Sequence, residues 1–349
     1  MDPNLTRWME ETFALALASR GTTLPNPSVG CIVLDRTGKP LSKASTHPGG
    51  RPHAERAALE KAGARARGGY LFATLEPCVA FPGKKSPPCA AAIILSGVET
   101  VVVGARDPNP LVSGKGIHAM RKAGIKVIEQ TLDERIPDFY AGFGHFLTTH
   151  RPRVTLKIAM SADGMATAQP GTRTAITGDE ARKFTHGLRA ASDLVLVGGS
   201  TAAIDDPELT VRDAVGRSPR RALLWPRTGL DAGLKLFQGA STMGIGCGPR
   251  PGTLPASAQW LEVPADGEHP SLPALLDKLG EQGLHDVLVE PGPRLAKAFL
   301  DARLWDRIWL IRSPTALGGG VAFQLEGIPD SVRSSVALGA DKADLFERT

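Results

Sequence analysis

The strongest constraint on this chain is a set of three metal-binding side chains set within about forty residues of each other. They are His53 in His53-Ala54-Glu55, Cys78 in Glu76-Pro77-Cys78, and Cys89 in Pro87-Pro88-Cys89. One histidine and two cysteines suit a borderline-soft cation such as zinc, and three protein ligands leave a fourth tetrahedral position for water. The local patterns bring the three together. His53 and Glu55 open an amphipathic helix over 55–62, so ligand and carboxylate leave from one helix terminus. A short apolar run over 70–75 reads as the strand that delivers Cys78. Cys89 follows two prolines, which suit first-turn positions, and opens an apolar helix over 90–96. A thiolate at a helix N-terminus is favoured by the dipole and by a bound metal.

His-x-Glu followed by Pro-Cys and a second cysteine is the spacing of zinc nucleobase deaminases. Here the two cysteines are separated by a long loop over 79–88 instead of two residues. Two thiolates cancel the charge of the dication. Its water, as hydroxide, then stays basic enough to attack an amidine-like ring carbon once Glu55 takes the proton. A structural zinc site is usually closed by a fourth protein ligand. None stands between Cys78 and Cys89, and such a site would leave Glu55 without a role. The reading is a catalytic zinc with Glu55 as its proton shuttle.

A chain of 349 residues is long enough for two domains with separate cores. Aromatic residues make up 5%, which argues against a stacking platform for single-stranded nucleic acid. The net charge of +5 is spread along the chain, so it fits an anionic small substrate at least as well as a nucleic acid. Four cysteines (Cys31, Cys78, Cys89 and Cys247) do not make a disulfide framework in a chain this long. No apolar run approaches a membrane span and no apolar signal segment opens the sequence, so a reducing cytosol is the expected location.

In order, the chain reads as a helix over 4–20, a rigid Pro25-Asn26-Pro27 turn feeding a strand, and then strand and helix in alternation to about residue 129. That alternation predicts an α/β fold with a sheet covered by helices on both faces. Asn26 between its prolines either presents a fixed amide to a ring or serves the turn. Asp107-Pro108-Asn109-Pro110 follows a strand and reads as a turn, with a ligand contact as the alternative. Around 146–152 the pattern breaks into a polar linker ending in Pro152, dividing a domain over 1–147 from one over 151–349.

The second domain alternates again. Lys157 lies in mid-strand, as an edge-strand guard or as a cation aimed into a pocket. Glycine breaks at Gly198-Gly199-Ser200-Thr201 and at Gly292-Pro293 follow strands, where backbone amides can approach phosphates, though plain turns look the same. Thr177-Gly178-Asp179-Glu180 has the form of a capping box, which would make Thr177 the cap. Paired acids open the polar segment from Asp205 to Arg212, and Glu290 closes an apolar strand where buried acids are rarely idle.

Taken together, these stretches resemble the bifunctional deaminase–reductases of riboflavin biosynthesis over nearly the full length. The resemblance implies a cytidine-deaminase-like N-terminal domain and a dihydrofolate-reductase-like C-terminal domain. The first would hydrolyse the 2-amino group of a diaminopyrimidinone ribosylamine phosphate, and the second would reduce its ribosyl group to ribityl with NADPH. It implies His53, Cys78 and Cys89 as zinc ligands, Glu55 as proton shuttle, and Asn26 and Lys85 as substrate contacts. In the second half it implies Lys157, Thr177, Arg189, Asp205, Leu209, Arg212 and Glu290 at substrate or catalytic positions. Gly198, Thr201, Asp205, Gly292 and Pro293 would hold the cofactor. It further implies a small phosphorylated substrate, no nucleic acid or membrane partner, and a homo-oligomer.

The chain departs from the family at Ala80, where a substrate-contacting histidine is usual, and at Met165 and Ala175. A longer loop brings Lys84 beside Lys85, and one of them is expected to take the histidine's part. Competing readings are a zinc deaminase of another nucleobase or a tRNA base with a repurposed second domain, and a non-catalytic RNA-binding or regulatory protein. The intact Glu55 opposes the last, and no basic strip with interleaved aromatics supports nucleic acid.

Overall fold

A computed structural model describes residues 3–82, 86–129, 135–227, 229–230, 233–239 and 241–348. Two compact units meet in sequence at Thr149 and His150. Among the described residues no helix is long and apolar enough to cross a membrane.

The first unit is built on five strands: β1 (Gly30–Leu34), β2 (Pro40–Ser45), β3 (Tyr70–Leu75), β4 (Thr100–Ala105) and β5 (Lys126–Glu129). Their order is β2-β1-β3-β4-β5. β1 runs antiparallel to both its neighbours, and β3, β4 and β5 are parallel. The helices are α1 (Pro3–Ser19), α2 (Ala54–Ala62), α3 (Cys89–Ser96), α4 (Lys115–Lys122) and α5 (Arg135–Thr149). α1 and α5 lie together, Phe13 meeting Phe139 edge-to-face at 5.3 Å. α1 crosses β1 so closely that a Cβ at Gly30 would stand 1.9 Å from the Thr12 carbonyl oxygen, so only glycine fits there.

Two of these elements are absent from the sequence reading. β2 is an edge strand that starts at a proline and buries only Ser42 and Ala44. α5 runs to Thr149, and the Thr148 and Thr149 hydroxyls both donate to the His145 carbonyl. The expected linker is therefore shorter than its polar composition suggested, because those threonines close a helix.

α5 also supports the Asn26 turn. The Tyr140 hydroxyl donates to the Ser28 carbonyl at 2.8 Å and accepts from Thr74 Oγ1 at 2.6 Å. Thr74 Oγ1 in turn accepts Gly30 N at 3.0 Å. Burial foremost pushes the Tyr140 phenol well above its ordinary range, so it stays a donor.

The second unit holds β6 (Arg153–Met160), β7 (Met165–Thr167), β8 (Leu194–Gly198), β9 (Arg220–Leu224), β10 (Thr242–Gly246) and β11 (Gln259–Glu262). A small ribbon of β12 (Ala265–Asp266) and β13 (His269–Pro270) follows. Then come β14 (Asp286–Val289), β15 (Arg307–Arg312), β16 (Val321–Ala322), β17 (Ser334–Leu338) and β18 (Asp341–Glu347). Its helices are α6 (Asp179–Ala190), α7 (Gly199–Asp205), α8 (Leu272–Glu281) and α9 (Pro293–Asp301).

The main sheet runs β11-β10-β9-β8-β14-β6-β15-β18-β17. It is parallel from β11 to β15, and β18 pairs antiparallel with both β15 and β17, so β18 alone runs against the rest. Parallel neighbours need crossovers, and helices supply most of them. Neither the seven-residue α7 nor the C-terminal hairpin of β17 and β18 was expected from sequence. Lys157 sits in β6, flanked by β14 and β15, so it does not guard an edge. Strand order decided this, and no local pattern carries strand order.

The N-terminal ends of these strands are tied by charge. Asp193 Oδ2 accepts His285 N at 2.8 Å and Asp286 N at 3.0 Å where β14 begins. Arg153 Nε donates to Asp286 Oδ1 at 2.7 Å, with side chains 10% and 6% exposed. A pair this buried is costly to break from one side, because the remaining charge has no water. The Asp193→Ala variant orphans two buried amides and is expected to lose about 2–4 kcal/mol. Urea unfolding followed by fluorescence checks this, since Trp225, Trp260, Trp305 and Trp309 all lie in this unit. An unchanged midpoint would remove Asp193 from the account.

Candidate active sites

His53 is the N-cap of α2, with extended backbone and no capping bond from its side chain, so the imidazole is free of helix duties. Its Nδ1 lies 3.6 Å from Cys78 Sγ and 3.4 Å from Cys89 Sγ. All three ligand atoms fall within 4.8 Å of one another. Tetrahedral bonds of about 2.3 Å to sulfur and 2.0–2.1 Å to nitrogen would set sulfur and nitrogen about 3.5 Å apart. The arrangement fits zinc. Glu55, in the first turn of α2 and 3% exposed, lies against Cys89. Burial first, and the Cys78 thiol second, push its carboxyl above the usual range. Cys31 in β1 is also near Glu55, but burial above all raises its thiol far, which keeps it an inert core residue.

Cys78 is placed by its neighbours on both sides. Its carbonyl accepts Ala90 N at 3.1 Å and its Sγ accepts Cys89 N at 3.4 Å, so it completes the start of α3. Two residues earlier, the buried Glu76 carboxylate accepts Asp107 N at 3.3 Å, Gly114 N at 2.9 Å, Gly116 N at 2.9 Å and Ile117 N at 3.1 Å. Those include orphan amides at the start of α4, where a carboxylate is favoured. Gly116 permits the approach, since a Cβ there would stand 2.2 Å from the Pro77 carbonyl oxygen. Sequence reasoning quoted Glu76 only as a marker. An acid directly after a buried strand and two residues before a ligand was the signal for its supporting role.

Asn26 Nδ2 donates to the Gly50 carbonyl at 3.2 Å, which fixes the amide's orientation. Asp107 Oδ1 accepts Asn109 N at 2.8 Å and Asn109 Oδ1 accepts Leu111 N at 3.0 Å, so that loop is closed by its own side chains. Ala80 is described, whereas Lys84 and Lys85 lie outside the described residues.

In the second unit the chemistry-bearing residues gather at the C-terminal ends of the parallel strands, the edge where such sheets bind ligands. Val289 pairs with Leu156, so Glu290 follows β14 beside Lys157 of β6. Arg189 of α6 grips Glu290 with two bonds, Nε to Oε1 at 2.6 Å and Nη2 to Oε2 at 2.9 Å. Its Nη1 donates to the Thr210 carbonyl at 3.1 Å, which draws in the segment from Leu209 to Arg212. Burial would raise Glu290, but Arg189 foremost and Lys157 after it outweigh burial and hold the carboxyl below the usual range. Burial pushes the Lys157 ammonium down, against the pull of Glu290, and pushes Asp205 up, against Arg173 and Lys157.

Gly198 ends β8 as the N-cap of α7, which carries Thr201 and ends at Asp205. Gly292 is the N-cap of α9 and Pro293 its first residue. A Cβ at Gly292 would stand 2.9 Å from Thr201 Oγ1, so the two strand-to-helix turns abut. That narrow cradle suits a dinucleotide phosphate.

Other expected residues are placed differently. Thr177 is not a cap: Gly178 holds that position with no side-chain cap, and its N–H is taken by Asp341 Oδ2 at 2.7 Å. Leu209 is 1% exposed and packs in the core with a left-handed φ of 56°, which puts its side chain out of a ligand's reach. Arg212 is exposed and pairs with Glu208, its Nη1 also reaching Thr210 Oγ1 at 2.7 Å. Asp206, partner of Asp205, closes α7 with φ 41° and accepts Lys235 N at 2.8 Å. His186 was overlooked, although it stands one turn before Arg189 on the buried face of α6.

Known proteins carry both halves of this arrangement. A family model for the cytidine and deoxycytidylate deaminase zinc-binding region matches residues 4–105, and one for the RibD C-terminal domain matches residues 152–342. The riboflavin biosynthesis protein RibD of Aquifex aeolicus is 35% identical over 97% of this chain and 94% of its own length. That of Escherichia coli is 35% identical over 87% of each. The solved structure of Acinetobacter baumannii RibD covers 99% of both chains at 31% identity with a TM-score of 0.76. A Thermotoga maritima diaminohydroxyphosphoribosylaminopyrimidine deaminase/5-amino-6-(5-phosphoribosylamino)uracil reductase does so at 30% identity and 0.76. Zinc in the deaminase domain and NADPH in the reductase domain are the cofactors, and the substrate is a small molecule. Two domain matches in this order, joined to near full-length identity, make the chain a member of the RibD family of bifunctional deaminase–reductases of riboflavin biosynthesis.

Proposed function

We propose that residues 1–147 deaminate a diaminopyrimidinone ribosylamino 5'-phosphate and that residues 151–349 then reduce its ribosyl group to ribityl. The observation that carries the first step is the ligand spacing of 3.4 and 3.6 Å around His53 Nδ1 with Glu55 in the same helical turn. Zinc bound by His53, Cys78 and Cys89 supplies a Lewis acid that acidifies water. Glu55 takes the proton from the attacking water and returns it to the departing amine, a task suited to a buried carboxyl with a raised pKa. Asn26, oriented by Gly50, presents its carbonyl oxygen to the pyrimidine edge.

In the second domain NADPH supplies the hydride. Gly198, Thr201 and Gly292 would offer backbone N–H groups to its phosphates, and Pro293, which has no N–H, would only line that turn. Burial lowers Lys157 and raises Asp205, and these two groups are the ones proposed to move the proton of sugar-ring opening. Glu290 and Arg189 hold that pair in place, while Thr177, the Leu209 backbone and Arg212 contact substrate.

The protein is further proposed to act as a cytosolic homo-oligomer without nucleic acid. Four free cysteines support a reducing compartment. The exposed, uncharged edge strand β17 supports self-association. Light scattering should give more than one chain per particle, and a monomer at micromolar concentration would end that part.

Glu55→Ala is expected to keep stoichiometric zinc yet lose deamination by at least about a hundredfold, as for loss of a general base. Cys78→Ser should instead release zinc. Metal analysis beside product mass spectrometry separates the two, and zinc loss from Glu55→Ala would make Glu55 a ligand. A fragment from residue 150 onward is expected to fold and to reduce the already deaminated pyrimidine with NADPH. A soluble fragment that binds no NADPH would show that the reductase site needs the first domain.

A further inference from the structure

His186 is 2% exposed, and its Nδ1 accepts two backbone N–H groups: Arg212 at 2.9 Å and Asp213 at 3.0 Å. Both donors need a lone pair at that nitrogen, so the ring is neutral with its proton on Nε2. The two amides lie in a stretch outside helix and strand. Arg189 Nη1 on the Thr210 carbonyl and Val211 N on Ser218 Oγ hold the same stretch just upstream. His186 thus fixes the backbone at the residue whose guanidinium reaches outward.

We infer that His186 is a positioning residue of the reductase site, a neutral imidazole that aims Arg212 at the substrate by binding the Arg212–Asp213 backbone. This rests on the reading that Arg212 contacts substrate, and adds a pH limit to that contact. A protonated ring would turn an N–H toward two N–H donors, so protonation and the turn's native geometry exclude each other.

The charged groups around the ring oppose one another. Burial first, then Arg189 on the same helix and Arg212 on the turn, disfavour the imidazolium. Asp213 on the turn and Glu290 beyond β14 favour it. Glu290 is engaged by Arg189, and Asp213 pairs with Arg182 at 3.0 Å. The net effect lowers the histidine below its ordinary 6.5. With the native value below the unfolded one, the turn is fully held above about pH 6.5 and released as pH falls through the native value.

The test uses the full-length zinc-loaded enzyme and the deaminated pyrimidine. NADPH affinity is read by fluorescence, and the deaminase rate serves as an integrity control. At about pH 8, where the ring is neutral, His186→Leu should raise KM for the pyrimidine about tenfold, with NADPH affinity unchanged. His186→Asn places an acceptor oxygen where Nδ1 stood. It should recover most of that loss and flatten the rise in KM that the natural enzyme is expected to show below about pH 6.5. The substrate phosphate titrates alike for every variant, so the comparison between variants isolates the ring.

An unchanged KM in His186→Leu, or an undiminished acid rise in His186→Asn, would overturn the inference. Should the leucine variant lose NADPH binding through misfolding, the asparagine pH profile decides. Arg212→Ala separates the two levels. If it raises KM while His186→Leu does not, only the role of His186 falls. If Arg212→Ala leaves KM unchanged, the assignment of Arg212 to substrate falls, and the inference with it.

Discussion

The deaminase half depends on a buried carboxylate that is not one of the three clustered ligands. Glu76 receives four backbone amides drawn from the Asp107 loop and the start of α4. A buried carboxylate is tolerable only when its oxygens are satisfied, and here the satisfaction is supplied by two separate stretches of chain. The end of β3, the loop after β4 and the entry to α4 are thereby fixed to one point. Cys78 leaves from that point and becomes part of the start of α3. The thiols stand at metal-binding distance from His53 because helix starts, a strand end and a loop are bound to one another by backbone groups rather than by side-chain packing alone.

The reductase half meets the same demand with a different device. An extended parallel sheet presents its strand ends as a row, and charges are sorted by edge. At the N-terminal edge one oxygen of Asp193 takes two backbone amides, and Asp286 pairs with Arg153. At the C-terminal edge Arg189 pairs with Glu290, and Lys157, Asp205 and Glu290 are displaced in pKa. Groups held off their ordinary pKa by burial and by mutual charge are characteristic of chemistry rather than of architecture.

What the sequence disclosed follows from where the information lies. The zinc ligands and Glu55 were readable because few residue types can do that work and their spacing is local to two helix starts and one strand end. α5 was missed although Ile136, Phe139, Tyr140 and Phe143 recur at helical spacing, since Pro137, Gly142 and Gly144 interrupt the propensity. The place of Lys157 needed strand order, which is a global property. Thr177 matched a capping pattern that a partner distant in sequence, Asp341, made unnecessary. Glu76 and His186 act by accepting backbone amides from segments that follow no periodic rule, so no motif announces them.

The sorting of charge by sheet edge has a consequence for how such a protein can change. Residues that tie the sheet and residues proposed to meet ligand stand four apart along the same strands, Arg153 before Lys157 and Asp286 before Glu290. Substitutions near Arg153 or Asp193 can therefore shift thermal tolerance while selectivity drifts independently through the loops beyond Lys157 and Glu290. A lineage moving to a hotter habitat, or an engineer seeking a new pyrimidine, would draw on two nearly disjoint sets of positions.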